Sequence, residues 1–361
     1  MNSNSIKICH YITTISRGGA ENQLLLLVGN QIKSGNQVTV VPLKGDLDLY
    51  AEFTELGAKV EKKLVDKKFI LQIIRMLIRK NRKFDIHHAH LPQAELLLAF
   101  SPVKNYIITR HFGGQFYPNS HKSISKILSR ISSARAKKII AISESVKKLL
   151  IDLREISKPE KIIVVPYGFN SVAFVKNYSK KTAAESQNYL IGTLARLSVE
   201  KDLPTLIKAF KILQSTGLKD NYKLRIFGEG EFRDKIEGLI KNLNLEKNVQ
   251  LMGRTMNPAE ELSKFDLFVL PSKFEGFGLV LLEAMAFNIP IIASNISIAN
   301  EVLGEDGAGV FFEQGNERDL ADKILNIKTH LDASFIEKQN FRLSLFNDTV
   351  MERRVRQAYE L

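Results

Sequence analysis

The feature that most constrains this chain is an alternation that runs through it twice. Short apolar runs are each followed by a longer stretch whose apolar residues recur every three or four positions. "IKICHYIT" leads through "SRGG" into a helix-like stretch that stops at Gly35. "NQVTVVPL", "AKVEKKLV", "FDIHHAH", "NYIITRH", "AKKIIAIS" and "EKIIVVPYG" follow, with helical segments between them. Over 68–80, Phe69, Ile70, Ile73, Ile74, Leu77 and Ile78 keep the helical period. Residues 170–188 are polar and aperiodic; then the alternation restarts with "YLIGTLARL", "YKLRIFGEG", "VQLMGRT", "DLFVLPS", "PIIAS" and "GAGVFFE". Helices are expected over 202–217, 231–243, 257–264 and 279–287.

Strands buried on both faces read as unbroken apolar runs, and helices between them make the strands parallel. The pattern therefore predicts an α/β chain of two doubly wound, Rossmann-like domains, 1–169 and 189–345, joined by a linker at 170–188. A length of 361 residues agrees with two domains. Met351, Val355 and Tyr359 share one face of a last helix, and 346–361 is expected to cross back onto the first domain. In doubly wound sheets, ligands sit at the carboxyl ends of the strands.

Cys9 is the only cysteine, so no intrachain disulfide forms and a reducing compartment fits. The first residues lack a basic start leading into an apolar run, and nothing reaches the ~18 apolar residues of a spanning helix. The expected location is the cytoplasm, with peripheral contact on the inner face of the membrane. The net charge of +13 is lopsided: residues 1–170 hold 27 Lys and Arg against 13 Asp and Glu, while the rest holds 25 against 26. An anionic partner for the first half follows.

Several strand-to-helix turns carry chemistry. "SRGGAE" places Gly18 and Gly19 where a backbone can approach a ligand and leave helix N–H groups to an anion; a plain tight turn explains the same residues. Arg196 and Lys201 lie just past a strand end, with Asp202 placed to cap the next helix, and two fixed cations suit a pyrophosphate. A solvated surface pair is the alternative. Gly228 sits in another such turn, "FGEGEF". In "PSKFEGFGLVLLEAMA", Glu275 precedes a helix that starts near Leu279, and Gly276, Phe277, Gly278 and Leu279 offer amides to an anion. Glu283 falls inside an apolar helix, where a carboxylate needs a partner.

Together with "GGAE", "DIHHAHLPQAELL", "TRH", "IAISESVKKLL", "VVPYGFN", "GTLARLSVEKDLPTLIKAF", "FGEGEF" and "LMGRT", in this order over nearly the whole chain, that stretch resembles the retaining glycosyltransferases of family 4 (glycosyl transferases group 1). The resemblance implies the GT-B architecture of two facing Rossmann-like domains, with acceptor bound by the first and nucleotide sugar by the second. It makes Arg196 and Lys201 the pyrophosphate ligands, Glu283 the acid on the ribose, and Glu275 the acid on the donor sugar. The 276–279 loop would touch sugar and phosphate, Gly18 and Gly19 would reach over from the first domain, and His111 would stand at the sugar. Catalysis would rest on His111, Glu275, Arg196 and Lys201, and the base would be read near Arg254.

What the resemblance implies is a metal-independent transfer of a hexose or N-acetylhexosamine from a nucleotide diphosphate, UDP before GDP. The acceptor would be a glycan or lipid-linked oligosaccharide of a bacterial surface polysaccharide. The only Asp-x-Asp pair, Asp46 and Asp48, lies in a loop of the first domain, away from the donor, so no metal is expected. Alternatives are a nucleotide-sugar hydrolase or epimerase of the same fold, or a non-catalytic glycan-assembly subunit. A nicotinamide dehydrogenase is disfavoured because the spaced-glycine fingerprint is absent.

His87, His88 and His90 cluster densely. On a strand His88 and His90 share a face; a structural role is expected for His88, and an acceptor-cleft role is open for His90. Residues 59–83 hold ten Lys and Arg against Glu61 and Asp66; residues 119–148 hold eight against Glu144. In the second segment Ile124, Ile127, Leu128 and Ile131 stripe a helix between Lys122, Lys126, Arg130 and Arg135. A basic amphipathic helix can rest on an anionic leaflet. An ordinary solvated face reads the same way, and nucleic acid is disfavoured because aromatic residues do not interleave the cations.

Overall fold

A computed structural model describes residues 5–78, 84–112, 115–117, 120–178, 188–215, 221–330 and 333–360. Arg79, Lys80, Arg82 and Lys83 of the first basic segment, and 179–187 of the expected linker, lie outside the described residues. The chain divides into two compact units, Met1–Gly168 with Phe346–Leu361, and Phe169–Leu345.

Unit 1 is built on seven strands: β1 (Lys7–Ile12), β2 (Gln37–Pro42), β3 (Lys59–Val60), β4 (Ile86–His90), β5 (Ile107–Arg110), β6 (Lys138–Ala141) and β7 (Ile162–Val164). They pair in parallel in the order β3-β2-β1-β4-β5-β6-β7. β1 shows why apolar runs become strands here: all but its first residue is buried. Helix Gly19–Lys33 covers one face with Leu24, Leu27 and Val28, and the last helix, Asp348–Ala358, packs beside it through Met351, Val355 and Tyr359.

Unit 2 has six strands: β8 (Asn188–Leu194), β9 (Asn221–Phe227), β10 (Val249–Gly253), β11 (Leu267–Leu270), β12 (Ile291–Ser294) and β13 (Val310–Phe312). Their order is β10-β9-β8-β11-β12-β13, again parallel. Within the segment read as linker, Ser171–Val175 is helical. The Asn170 side chain caps the Ala173 N–H, and Phe174 meets the Phe287 ring. Helices Ser297–Leu303, Glu317–Leu325 and Phe335–Leu345 complete this unit.

In each sheet the strand order reverses once, between β1 and β4 and between β8 and β11. Successive crossovers leave a crevice at such a switch point, where the loops diverge to opposite faces. The loops after β8 and β11 carry Arg196–Lys201 and Pro271–Gly278; the loop after β1 carries Gly18 and Gly19.

Candidate functional site

In unit 2 the loops at the switch point are tied together. Lys201 leaves the turn Val199–Lys201 and places its Nζ 2.6 Å from Glu275 Oε1, with both side chains largely buried. The Ser272 hydroxyl donates to the same carboxylate oxygen at 2.9 Å. Asp202, in the left-handed region at φ 43°, accepts from the Thr205 hydroxyl at 2.8 Å and pairs with Lys273 at 3.2 Å. The Lys273 amide donates to Glu200 O at 2.8 Å. Glu275 is thus held by a cation and a hydroxyl, and a ligand that needs Lys201 must share it with that carboxylate.

Arg196 is exposed just past β8. Its backbone is fixed by the "FGEGEF" turn: Ala195 N–H donates to Phe227 O and Leu197 N–H to Glu229 O, both at 2.9 Å. A Cβ on Gly228, at φ +139°, would stand 1.9 Å from Ala195 O. Gly228 is therefore required by the close approach of two chain segments, and it supports the loop that carries Arg196. Arg254 is exposed at the end of β10, one residue beyond Gly253.

Gly278 opens the helix Leu279–Ala286 in the left-handed region, at φ 76°. Gly276 and Phe277 each have a partner within the fold, and Gly278 and Leu279 follow them at the helix start. Glu283 lies one turn into that helix, partly buried, and burial pushes its carboxyl up to about 7. Among the described residues no hydrogen bond or ion pair reaches it. An apolar helix has thus buried an acid without supplying its partner.

In unit 1 the loop after β1 is braced by the Asp46–Asp48 stretch. The Ser16 hydroxyl donates to Asp46 O at 3.3 Å, the Arg17 amide to Asp48 Oδ2 at 3.2 Å, and the Arg17 guanidinium pairs with Glu52. Gly18 caps the helix Gly19–Lys33, and a Cβ there would strike the Glu21 carboxylate at 2.4 Å; a Cβ on Gly19 would meet open space. The Glu21 carboxylate is the end of a flexible side chain that can move aside, so of these two glycines neither is fixed by backbone packing.

His111 follows β5 and belongs to a hydrogen-bonded chain. His10 Nε2 lies 2.8 Å from Gln31 Oε1, His10 Nδ1 3.0 Å from His90 Nε2, His90 Nδ1 3.0 Å from His111 Nε2, and His111 Nδ1 2.6 Å from the Tyr167 hydroxyl. Burial lowers His10 to about 4 and His111 to about 3, and takes His90 well below 6.5 with help from its neighbours, so the rings are neutral. A neutral imidazole has one donor and one acceptor. Since Gln31 Oε1 can only accept, the hydrogens are fixed in one direction, Tyr167 to His111 to His90 to His10 to Gln31. A side branch closes on the last helix: Gln31 Nε2 donates to the Tyr359 hydroxyl at 3.1 Å, which donates to His88 Nδ1 at 2.9 Å, and His88 Nε2 donates to Thr109 at 2.7 Å. His10, His88 and His90 bring ring nitrogens within 4.8 Å of one another, the only such metal-like group among the described residues. Each of their ring nitrogens is engaged in this network.

Beside His111, Arg110 is buried between Glu95 (3.0 Å) and Glu155 (3.4 Å), with Ser129 and Ser132 as further acceptors. Burial raises Glu95 to about 7, against the pull of Arg110. A cavity of about 190 Å³ opens here, with Glu95, Arg110, His111, Gln115 and Phe116 in its lining.

His10, Gln31 and Tyr167 escaped the sequence reading, as did the hydrogen bonds of Tyr359 and the Glu95–Arg110–Glu155 cluster. The signal for His10 existed: a doubly wound order puts β1 beside β4, and His10 then pairs with His88. The other pairs join residues far apart in sequence and leave no local trace.

The model of the Glycosyltransferase Family 4 domain matches 17–171, and that of Glycosyl transferases group 1 matches 174–338. The capsular polysaccharide biosynthesis glycosyltransferase CapM of Staphylococcus aureus is 28% identical over 313 residues, covering 82% of this chain and 77% of that protein. N-acetylgalactosamine-N,N'-diacetylbacillosaminyl-diphospho-undecaprenol 4-alpha-N-acetylgalactosaminyltransferase of Campylobacter jejuni is 35% identical over 149 residues, 41% of this chain and 39% of its own. Among solved structures, Anabaena Alr3699/HepE in complex with UDP superposes with a TM-score of 0.81 at 17% identity, over 98% of this chain and 100% of that one, a likeness of fold.

Proposed function

Because the chain belongs to the family 4, group 1 glycosyl transferases and is a glycosyltransferase, we propose that it moves a hexose or N-acetylhexosamine from a UDP-sugar to a sugar hydroxyl of a glycan or lipid-linked acceptor, without a divalent ion and with retention. The observation that carries this is the meeting of Lys201 and Glu275 across the β8/β11 switch point, beside exposed Arg196, the helix start at Gly278 and the unpartnered Glu283. Cleaving a sugar–phosphate bond builds negative charge on the departing diphosphate. Fixed cations and helix amides stabilise that charge, each such donor contributing ~3 kcal/mol or more. Glu275, released from Lys201 by the phosphate, accepts from sugar hydroxyls, and Glu283 accepts from the ribose.

UDP is favoured because Alr3699/HepE binds it, and a lipid-linked acceptor because the Campylobacter relative is named for one; the name of CapM supports a surface polysaccharide as the destination. The cavity beside His111 supports an acceptor sugar seated there. Asp48 braces the loop after β1, which supports transfer without a metal. Among the described residues no helix is long and apolar enough to cross a membrane; contact with an anionic leaflet falls to the helix Lys122–Ala134.

Calorimetric titration in EDTA tests the donor site: UDP and UDP-hexoses should bind, and Lys201→Ala should weaken UDP by about tenfold or more while leaving uridine unchanged. Absence of binding refutes the donor assignment. Dependence on magnesium refutes metal-free binding.

A further inference from the structure

Glu95 lines the cavity beside His111 with a carboxylate that the fold satisfies on one side only. The residue is 1% exposed, in the first turn of the helix Pro92–Ala99, and both of its partners meet the same oxygen: the Ser132 hydroxyl at 3.1 Å and Arg110 Nε at 3.0 Å reach Oε2. Among the described residues no hydrogen bond or ion pair reaches Oε1. The remaining donors of Arg110 go to Ser129, Ser132 and Glu155. A buried carboxylate oxygen without a donor costs free energy, and a ligand that brings one removes the cost.

The turn that places Glu95 is strained. Leu91, also in the cavity lining, holds φ 70° and ψ 154°, a region that residues with a side chain rarely visit. The Glu95 amide donates to Leu91 O at 3.2 Å, so this turn sets where the glutamate stands. Backbone strain of this kind clusters where ligands are held.

We propose that Glu95 is a specificity-determining residue of the acceptor site, its Oε1 accepting from a hydroxyl of the sugar in this cavity. The proposal deepens the acceptor reading given above and rests on it for the class of ligand. Burial raises the carboxyl to about 7 against the pull of Arg110 and Ser132, and Glu155 raises it further. Of the other groups facing it, Arg110 stays charged, His111 is held at about 3, and burial raises Tyr106 and Tyr117. A charged carboxylate is the stronger acceptor, so a sugar held through Oε1 binds better once Glu95 ionises.

The test uses the full chain in EDTA with the methyl glycosides of glucose, galactose, N-acetylglucosamine and N-acetylgalactosamine, titrated by saturation-transfer NMR from pH 6 to pH 8. At least one should bind, and about tenfold more tightly at pH 8 than at pH 6. Glu95→Gln keeps the size of the side chain and leaves Arg110 paired with Glu155. It should weaken binding at pH 8 about tenfold and abolish the pH dependence. Glu155 is outside the cavity lining, so Glu155→Gln should leave binding at pH 8 intact and move the midpoint of the pH dependence downward, which a packing role would not do. Melting scans show that both variants fold. If no glycoside binds the wild type, the acceptor reading fails and the proposal with it. If one binds and Glu95→Gln binds it as tightly, or if Glu155→Gln leaves the midpoint in place, the proposal alone is overturned.

Discussion

Glu283 stands between Leu282 and Ala284, both buried, on a helix that gives it nothing to bond with. Ionising it there is a standing cost. In the unfolded chain the carboxyl titrates near 4.5, in the folded one near 7. Across that window the folded state holds the extra proton, so stability falls as pH rises, by at most ~3 kcal/mol. Glu283→Gln removes the penalty, and should raise the melting temperature at pH 8 while leaving it unchanged near pH 4. The same substitution replaces a charged acceptor with a neutral amide, so UDP should bind about tenfold more weakly. A variant no more stable than wild type at pH 8, or with undiminished affinity for UDP, refutes the assignment. Both outcomes together would make Glu283 a stability–function trade-off at one residue.

Among the elements, the helix Lys122–Ala134 inverts the usual pattern. Its buried side is Ser125, Ser129, Ser132 and Ser133, while Ile124 (53% exposed) and Ile127 (56%) face outward between Lys122, Lys126 and Arg130. The reason lies underneath: Arg110 with its two glutamates needs hydroxyl partners, and serines supply them. The periodicity of this helix was legible in the sequence, and which face is the inner one was not, because the buried polar cluster is assembled from four distant segments. The same holds for Ile70 and Leu77, whose apolar rhythm reads like a core helix. Strands were legible because parallel strands are buried on both faces, and the Lys201 and Glu275 loops because each follows a strand end. The Arg110 cluster and His10 were not, since only the fold makes them neighbours. Each exposed cation near an anionic leaflet adds ~1 kcal/mol of attraction. The chain should therefore float with phosphatidylglycerol vesicles and not with phosphatidylcholine ones, and Lys122→Glu/Lys126→Glu should reduce the floated fraction. Equal flotation with both lipids rules out the electrostatic contact.

For the whole molecule, the two units respond to acid in opposite directions. Unit 1 contains His10, held at about 4, His111, held at about 3, and His88 and His90, both well below 6.5 through burial and mutual repulsion. Once unfolded, each takes up a proton near 6.5. Their contribution is complete above that value and is lost as pH falls toward the folded values, at up to ~1.4 kcal/mol per pH unit for each ring. Glu95, raised to about 7, and Glu21 and Glu352, raised by burial, act with the opposite sign, three carboxyls against four imidazoles. Arg110, which faces Glu95 and Glu155, does not titrate in this range. In unit 2, Glu283 makes mild acid favourable instead. Calorimetric scans from pH 8 to pH 5 should show the unit 1 transition moving down while that of unit 2 holds or rises; a common shift, or unit 2 leaving first, contradicts the sign. Hydrogen exchange at pH 5 gives the sharper reading. Tyr359 bonds to Gln31 and His88, so amides of the helix Asp348–Ala358 should open together with β1 and β4. The helix Phe335–Leu345, only two residues earlier in sequence, is anchored in unit 2 by Gln339 to Ile289 O and Ala308 O and should stay protected.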